Sequence, residues 1–266
     1  MKNPSSYLFV PGNRPDRFDK ALGCGADAVI LDLEDAVPDA EKEMARVNIE
    51  QWLSLGRKAL VRVNDAGSEW FQDDLRCCRH ENVTGIVLPK AEREADLAHL
   101  RQACGDKPVL PLIETARGIA NIDRLLRHAG VVRAIFGSID FQLDLDIQGE
   151  NEELLFFRSQ IVLSSRLAGR QSPVDGAYAQ IEDLQGLREA SLMGRRLGFG
   201  GKLCIHPAQV PVVNQCFKPG PEEIQWALRV VEAAEASGGA AIKVDGRMID
   251  RPVILRAEQI LRRSRG

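Results

Sequence analysis

Eight short apolar runs, each followed by a segment with helical periodicity, predict a closed (β/α)8 barrel, the TIM-barrel class of α/β fold. The runs recur at intervals of roughly 30 residues, the length of one strand plus one crossover helix. Several runs are apolar at every position, as expected for parallel strands that helices cover on both faces. Eight such units in a chain of 266 residues favour a closed barrel over an open doubly wound sheet.

The predicted strands are short and rich in branched aliphatic residues. In chain order they span residues 7–10, 28–33, 59–63, 85–88, 109–113, 132–136, 173–174 and 202–205. The seventh run is the weakest of the eight. The first run leads into VPGNRP at residues 10–15, which lacks the Gly-x-Gly-x-x-Gly pattern of dinucleotide-binding folds. The sequence therefore argues against a dinucleotide-binding sheet.

Residues that start or stop helices separate the strands. Pro15 fits a first-turn position, and Thr115 is the predicted N-cap of the helix after strand five. Gly56, Gly105 and Gly130 are predicted to end helices. Seven crossover helices then connect eight strands.

The C-terminal segment exceeds what an eight-unit barrel needs. The sequence predicts a catalytic barrel over residues 1–220 and an extension over residues 221–266, with a long helix, a Gly-rich break and a basic helix. We interpret this extension as a lid or as an arm that packs on a neighbouring subunit.

Charge and hydropathy argue against two classes of partner, nucleic acids and membranes. The chain carries 35 Lys and Arg against 38 Asp and Glu, a net charge of -3, without the basic excess that nucleic-acid binding requires. No apolar run approaches the roughly 18 residues that span a bilayer, and the N-terminus lacks a signal-type apolar stretch. We therefore expect a cytoplasmic protein with neither a nucleic-acid nor a membrane partner.

Carboxylates close two consecutive predicted strands, at the face where barrel enzymes place their active sites. Glu114 ends strand five and Asp140 ends strand six, so the two groups are expected to meet above strands that lie about 4.8 Å apart. Close carboxylates share a proton, pair with a cation or bind a metal, and oxygen ligands favour Mg2+ over Zn2+, Ca2+ or Mn2+. Alternatively, Glu114 pairs with Arg117 and Asp140 caps the next segment, and spacing alone leaves both interpretations open.

An arginine in a strand that is buried on both faces must point into the mouth of the barrel. Arg62 ends strand three, and its planar guanidinium suits a carboxylate ligand. It is also placed to neutralise the acidic cluster that follows strand two at Asp32, Glu34 and Asp35. His206, after strand eight, is interpreted as a ring fixed by backbone hydrogen bonds rather than as a base.

Seven sequence blocks, in order, resemble the citrate lyase beta subunit family of the HpcH/HpaI aldolase superfamily, which includes malyl-CoA and citramalyl-CoA lyases. The blocks are LFVPG at 8–12, LDLEDAV at 31–37, VRVN at 61–64, LPK at 88–90, IETARG at 113–118, CIHP at 204–207 and DGRMID at 245–250. The resemblance implies a TIM barrel, usually a homotrimer, that uses Mg2+, or Mn2+ in its place. It also implies cleavage of a β-hydroxyacyl thioester into a 2-oxo acid and an acyl-CoA such as acetyl-CoA.

The resemblance assigns roles to the residues at the strand ends. By similarity, Glu114 and Asp140 are the metal ligands, and Arg62 clamps the carboxylate of the oxo acid. Asp250 is similar to the lid aspartate that reaches the active site of a neighbouring subunit, where it would protonate the thioester enolate. Glu34 or a metal-bound water would accept the proton of the substrate hydroxyl.

The same resemblance places coenzyme A at the N-terminal end of the chain. Phe9, Arg14 and Lys20 match positions that contact CoA in related lyases, although Arg14 and Lys20 alone would pass as surface charges. The short chain is typical of stand-alone members. That favours a free CoA thioester over an acyl-carrier protein as the partner.

One position departs from the family pattern. Members often carry Gly-x-Glu-Asp-Leu before the second metal ligand, whereas this chain reads GSIDF at residues 137–141. Ile139 therefore stands where a carboxylate is usual, and we expect a difference in metal affinity or in substrate shape.

Other functions remain open at this point. A class II pyruvate aldolase of the same superfamily tends to place a His after the strand-two glutamate, but here Asp35 follows Glu34. The absent carboxylate at Ile139 leaves room for a non-catalytic, carrier-docking subunit or the citryl-carrier lyase subunit of a citrate lyase complex. A malyl-CoA thioesterase is a further alternative, since an activated water would replace cleavage with hydrolysis.

Overall fold

The computed structural model describes residues 3–236 and 242–264. Eight parallel strands close into one barrel in sequence order, which confirms the predicted (β/α)8 fold. They are β1 (Ser6–Pro11), β2 (Ala28–Asp32), β3 (Ala59–Arg62), β4 (Val83–Leu88), β5 (Val109–Ile113), β6 (Ile135–Phe136), β7 (Val174–Asp175) and β8 (Gly201–Cys204). The barrel closes where β1 pairs with β8, with Tyr7 opposite Leu203.

The barrel helices alternate with these strands. They are α1 (Phe18–Gly23), α2 (Lys42–Ser54), α3 (Phe71–Cys78), α4 (Glu94–Cys104), α5 (Ala116–Ala120), α6 (Ile122–Arg127), α7 (Ser138–Leu145), α8 (Leu155–Leu167), α9 (Leu184–Leu197) and α10 (Val210–Phe217). As predicted, Thr115 caps α5 by accepting a hydrogen bond from the Gly118 amide at 3.0 Å. The three predicted stop glycines all have positive φ, which agrees with their helix-ending role.

The barrel interior is an apolar core to which every strand contributes. Its members are Tyr7, Ile30, Leu60, Val87, Leu110, Leu112, Ile135, Val174 and Leu203. Burial of these side chains provides the main stabilisation of the closed sheet. The core supports the C-terminal ends of the strands, where the polar residues lie.

One strand is clearly shorter than the sequence predicts. The apolar run at residues 132–136 pairs regularly only at β6, whereas β7 has the two residues predicted for it, shifted by one position. Arg133 interrupts the run, because its buried guanidinium donates hydrogen bonds to the carbonyls of Ser172 and Pro4. The regular strand therefore begins only after this charged side chain, at Ile135.

The C-terminal region forms a second compact unit that begins at Gln215, whereas the sequence places this boundary at residue 220. It contains α11 (Pro221–Ala236), the antiparallel hairpin of β9 (Ile242–Val244) and β10 (Arg247–Ile249), and α12 (Arg251–Ser264). Its own core includes Ala227, Val230, Ile249, Ala257 and Ile260. Residues 237–241, 265 and 266 of the predicted extension lie outside the described residues. Within the described part of the chain, no helix is long and apolar enough to cross a membrane.

Candidate active site

Polar side chains from several strands converge at one end of the barrel. A cavity of about 260 Å3 opens there and is lined by Phe9, Arg62, Glu114 and Asp140, among others. Glu114 follows β5, and Asp140 lies in the first turn of α7, directly after β6. The structure therefore brings together four residues that the sequence singles out separately.

Glu114 has one satisfied and one unsatisfied carboxylate oxygen. It is 1% exposed, and its Oε1 accepts a hydrogen bond from the Lys90 amide at 2.7 Å. Its Oε2 is buried and has no hydrogen-bond partner. Burial, together with the nearby charges of Glu34 and Asp140, raises the pKa of Glu114 well above its usual value. A cation beside Oε2 would stabilise the ionised form of this buried carboxylate.

The alternative partner of Glu114 lies elsewhere. Arg117 is 3.7 Å from Glu92 in an exposed ion pair. Glu114 instead lies against Gly137, which precedes α7. A Cβ on Gly137 would contact Glu114 Oε2 and lie 2.6 Å from the Glu114 Cβ, so the missing side chain makes room for the carboxylate.

The donor set fits a hard, well-hydrated metal ion. Among residues 3–236 and 242–264, no group of three or more His, Cys, Asp or Glu side chains is arranged to hold a metal. Four carboxylates line the cavity, and Asp32 and Asp35 lie beside Arg62. The other two are Glu114 and Asp140, and the first has an unpartnered buried oxygen. Mg2+ is typically bound by one or two carboxylates and completes its shell with water and substrate oxygens. Mn2+ accepts the same oxygen ligands.

Arg62 pairs with the acidic cluster, one of the two roles that the sequence left open, and it also lines the cavity. Its Nε and one Nη donate to the two carboxylate oxygens of Asp32 at 2.7 Å each, and its other Nη lies 2.8 Å from Glu34. The guanidinium also stacks on the ring of Phe9 at 4.7 Å and lines the cavity. Burial alone would lower the pKa of Arg62, but attraction to Asp32 and Glu34 outweighs it and raises this pKa above its usual value. Arg62 therefore neutralises the acidic cluster and remains a fixed positive charge at the cavity wall.

Glu34 is buried between two cations. The Nζ of Lys90 lies 2.5 Å from Glu34 Oε1, opposite the contact with Arg62. Burial is the largest influence and raises the pKa of Glu34 to about 7, although both cations act in the other direction. A carboxylate with a pKa near neutrality exchanges a proton readily at physiological pH.

Lys90 connects Glu34 to Glu114, a role that the sequence analysis does not assign. Its backbone amide donates to Glu114 while its ammonium donates to Glu34. It has φ +45°, a left-handed conformation that is uncommon outside glycine. The sequence signal for Lys90 is its position two residues after the end of β4.

Lys42 is a second residue that sequence reasoning missed. This buried side chain of α2 donates to the carbonyls of Leu33 and Glu34 at 2.9 Å each and to Asn64 Oδ1 at 2.6 Å. It thereby joins the loops that follow β2 and β3. One of these contacts holds the backbone of Glu34.

We expect Lys42→Met to destabilise the protein by about 2–4 kcal/mol, because three buried acceptors lose their donor. The free energy of unfolding from urea titrations measures this effect. The exposed Lys58→Met is the matched control, with an expected change within about 0.5 kcal/mol. Equal stability of the two variants would contradict a structural role for Lys42.

A second cavity of about 500 Å3 lies beside the first. Phe9, Arg14 and Lys20, the three predicted CoA-contacting residues, line it together. Phe9, Pro11 and Ile205 line both cavities, so the two spaces adjoin along the C-terminal end of β1. Arg14 and Lys20 are exposed, which suits the recognition of phosphate groups at the protein surface.

Two further predicted residues lie at element ends. His206 is exposed and accepts a hydrogen bond from the Ala208 amide at 3.2 Å as the N-cap of a short 3-10 helix, which agrees with a ring fixed by the backbone. Asp250 belongs to the second unit, where it is exposed between β10 and α12.

Known proteins resemble this chain over its whole length. A (3S)-malyl-CoA thioesterase of Cereibacter sphaeroides is 34% identical and matches 97% of this chain and 94% of its own length. A citrate lyase subunit beta-like protein of Mycobacterium tuberculosis is also 34% identical, with the same shares covered. A citrate lyase subunit beta of Leuconostoc mesenteroides is 30% identical over 97% of this chain and 92% of its own.

The solved structure of CitE from M. tuberculosis in complex with magnesium, acetoacetate and coenzyme A has a TM-score of 0.89 and 34% identity. The match covers 100% of this chain and 99% of CitE. The model of the HpcH/HpaI aldolase/citrate lyase family matches residues 5–207, and that of a C-C bond lyase of the TIM-barrel fold matches residues 158–266. The chain therefore belongs to the HpcH/HpaI aldolase/citrate lyase family, as a lyase of the TIM-barrel fold.

Proposed function

We propose that the protein is a Mg2+-dependent lyase that cleaves a β-hydroxyacyl-CoA of the citramalyl-CoA or malyl-CoA type. The products are a 2-oxo acid and acetyl-CoA. The observation that carries this proposal is the buried, unpartnered Oε2 of Glu114 beside Asp140, in a cavity that adjoins the one lined by Arg14 and Lys20. The magnesium, acetoacetate and coenzyme A bound by M. tuberculosis CitE support it.

Glu114 and Asp140 would hold the metal ion. Their oxygens supply two ligands, which leaves room for the hydroxyl and carboxylate oxygens of the substrate. When bound, Mg2+ supplies Lewis-acid stabilisation of the negative charge that develops on the substrate oxygens. Lys90 holds Glu114 in position through its amide, and Gly137 provides the space that the carboxylate occupies.

The remaining side chains carry the proton transfers. Glu34 accepts the proton of the substrate hydroxyl, and the carbonyl of the oxo acid forms as the carbon–carbon bond breaks. The electron pair of that bond moves to the thioester as an enolate. Asp250, contributed by a neighbouring subunit of a homotrimer, donates a proton to the enolate carbon and yields acetyl-CoA. Arg62 keeps the carboxylate of the oxo acid aligned throughout.

The second cavity would hold the coenzyme. Phe9 contacts the arm that leads to the thioester, and the exposed Arg14 and Lys20 pair with the phosphates. This arrangement favours free CoA thioesters over a carrier-protein substrate. A cytoplasmic location is also part of the proposal.

Turnover of the thioesters by the purified protein alone tests the proposal. The protein is incubated with racemic citramalyl-CoA or malyl-CoA in Mg2+ or EDTA, and oxo acid, acetyl-CoA and free thiol are measured. We expect oxo acid and acetyl-CoA in equal amounts with Mg2+, and loss of both in EDTA and in the Glu114→Ala and Arg62→Ala variants. Free thiol without oxo acid would instead establish a thioesterase, like the C. sphaeroides relative. No turnover of either thioester would favour a carrier-dependent subunit.

Gly137→Ala is expected to weaken Mn2+ binding by at least about tenfold, because its Cβ would displace the Glu114 carboxylate. Electron paramagnetic resonance of free Mn2+ measures the affinity without requiring turnover. Gly23→Ala is the matched control, since a Cβ there meets no atom within 4 Å. Unchanged Mn2+ affinity in Gly137→Ala would show that Glu114 does not ligate the metal.

A further inference from the structure

Ile139 is an apolar residue whose side chain is unusually exposed, and it lies in the active-site cavity. It follows Ser138 at the start of α7, directly before Asp140, and it lines the active-site cavity. Its side chain is 49% exposed, although branched aliphatic residues are usually buried. A substrate group that covered this side chain would remove apolar surface from water and gain binding free energy.

A thioester bound across the two adjoining cavities would have one part in each. Phe9 and Ile205 line both cavities, so they face the thioester arm where it passes from one to the other. Ile139 and Ala177 line only the active-site cavity. These two residues therefore face the part of the substrate that remains beside Glu114 and becomes the oxo acid.

The charges of the cavity limit which substituent fits. Of the described residues that line it, Arg62 alone is cationic, and it is already paired with Asp32 and Glu34. A substrate needs this arginine for the carboxylate that every oxo acid carries. A substituent of the carbinol carbon that carries a second carboxylate would find no further cationic side chain among the described cavity residues. An alkyl substituent would instead contact Ile139.

We infer that Ile139 is a specificity-determining residue that selects β-hydroxyacyl-CoA thioesters with an alkyl group on the carbinol carbon. Thioesters with hydrogen or a carboxymethyl group at that carbon are disfavoured, the first because it leaves Ile139 uncovered and the second because its charge is unpaired. This inference rests on the proposed lyase function. One methyl group in an apolar pocket discriminates by about 10- to 200-fold.

Three thioesters that differ only at the carbinol carbon test the inference: malyl-CoA with hydrogen, citramalyl-CoA with methyl and citryl-CoA with carboxymethyl. We expect wild-type kcat/KM for citramalyl-CoA to exceed that for malyl-CoA by at least about tenfold, with citryl-CoA the poorest. Ile139→Ala should lower this ratio towards one and retain turnover of malyl-CoA. Ile139→Val, which keeps a branched side chain, should retain most of the preference. Leu143→Ala, in the same helix but 83% exposed and outside the cavity, should leave the ratio unchanged.

Inhibition by the oxo-acid products tests the same preference without depending on the chemical step. Pyruvate should inhibit more strongly than glyoxylate or oxaloacetate, and Ile139→Ala should reduce that difference. A wild-type preference for malyl-CoA or citryl-CoA would overturn the inference and leave the lyase function intact. An unchanged ratio in Ile139→Ala, or an equal loss in Leu143→Ala, would also overturn it. If no thioester is cleaved by wild-type protein with Mg2+, the proposed function itself fails.

Discussion

Glu114→Gln should reduce Mg2+-dependent cleavage by about 1000-fold, since metal stabilisation of developing charge provides several kcal/mol and each 1.4 kcal/mol is a factor of ten. The substitution keeps the shape of the side chain and an oxygen that accepts the Lys90 amide. It removes the negative charge from the buried oxygen that has no hydrogen-bond partner. The kcat with saturating Mg2+ and the Mn2+ affinity measure the two consequences.

The matched control is Glu94→Gln, an exposed residue in the first turn of α4 that should change neither quantity. Asp140→Asn should reproduce both losses, because Asp140 lines the same cavity and its charge acts on Glu114. Retention of more than a tenth of the activity and of the Mn2+ affinity in Glu114→Gln would remove Glu114 from the metal site. A similar melting temperature shows that the fold is intact.

Asp175→Asn should destabilise the barrel by about 3–5 kcal/mol, the typical cost of leaving buried charges without their partner. Asp175 ends β7 and is fully buried between Arg158 and Lys202, each of which donates to it at 3.0 Å. At about 2–4 °C per kcal/mol, the melting temperature should fall by roughly 10 °C. Thermal unfolding followed by circular dichroism measures this shift.

Asp73→Asn is the matched control, because it makes the same substitution in an exposed ion pair. Asp73 pairs with Arg76 on the exposed face of α3, and such pairs contribute at most about 1 kcal/mol. Its melting temperature should therefore remain close to that of the wild-type protein. A shift in Asp175→Asn as small as that of Asp73→Asn would contradict the stabilising role of the buried cluster.

The pH dependence of the Asp175 effect follows from its pKa. Burial would raise the pKa of Asp175, but Lys202 and Arg158 outweigh burial and hold it below its usual value. The folded pKa lies below the unfolded value of about 3.9, so the stabilisation is fully present above that pH and is lost as pH falls through the folded pKa. The difference in melting temperature between wild type and Asp175→Asn should thus stay constant from pH 7 to about pH 5 and shrink in stronger acid.

The barrel could be predicted because each strand is a local pattern. Runs such as residues 109–113 are apolar throughout, and the strand found there has the predicted bounds. The run at residues 132–136 was less informative, because Arg133 uses its donors on distant carbonyls that no local pattern indicates. Tertiary hydrogen bonding, rather than strand propensity, limits β6.

The candidate site was partly predictable for the same reason. Glu114 and Arg62 directly follow or end apolar strands, so their position alone placed them at the mouth of the barrel. Lys42 lies in the first turn of α2, where a lysine ordinarily faces solvent, and its contacts are to backbone carbonyls. Lys90 adopts a left-handed conformation that rules based on glycine do not anticipate. Contacts that involve backbone amides and carbonyls thus produce no recognisable sequence pattern.

The position of a bound metal tests the account most directly. Crystals grown with Mn2+, pyruvate and coenzyme A would show the ion by its anomalous signal. The account predicts a peak about 2.1 Å from one oxygen each of Glu114 and Asp140, with pyruvate completing the shell and its carboxylate facing Arg62. A peak away from these two carboxylates, or none at Mn2+ concentrations that support turnover, would contradict it.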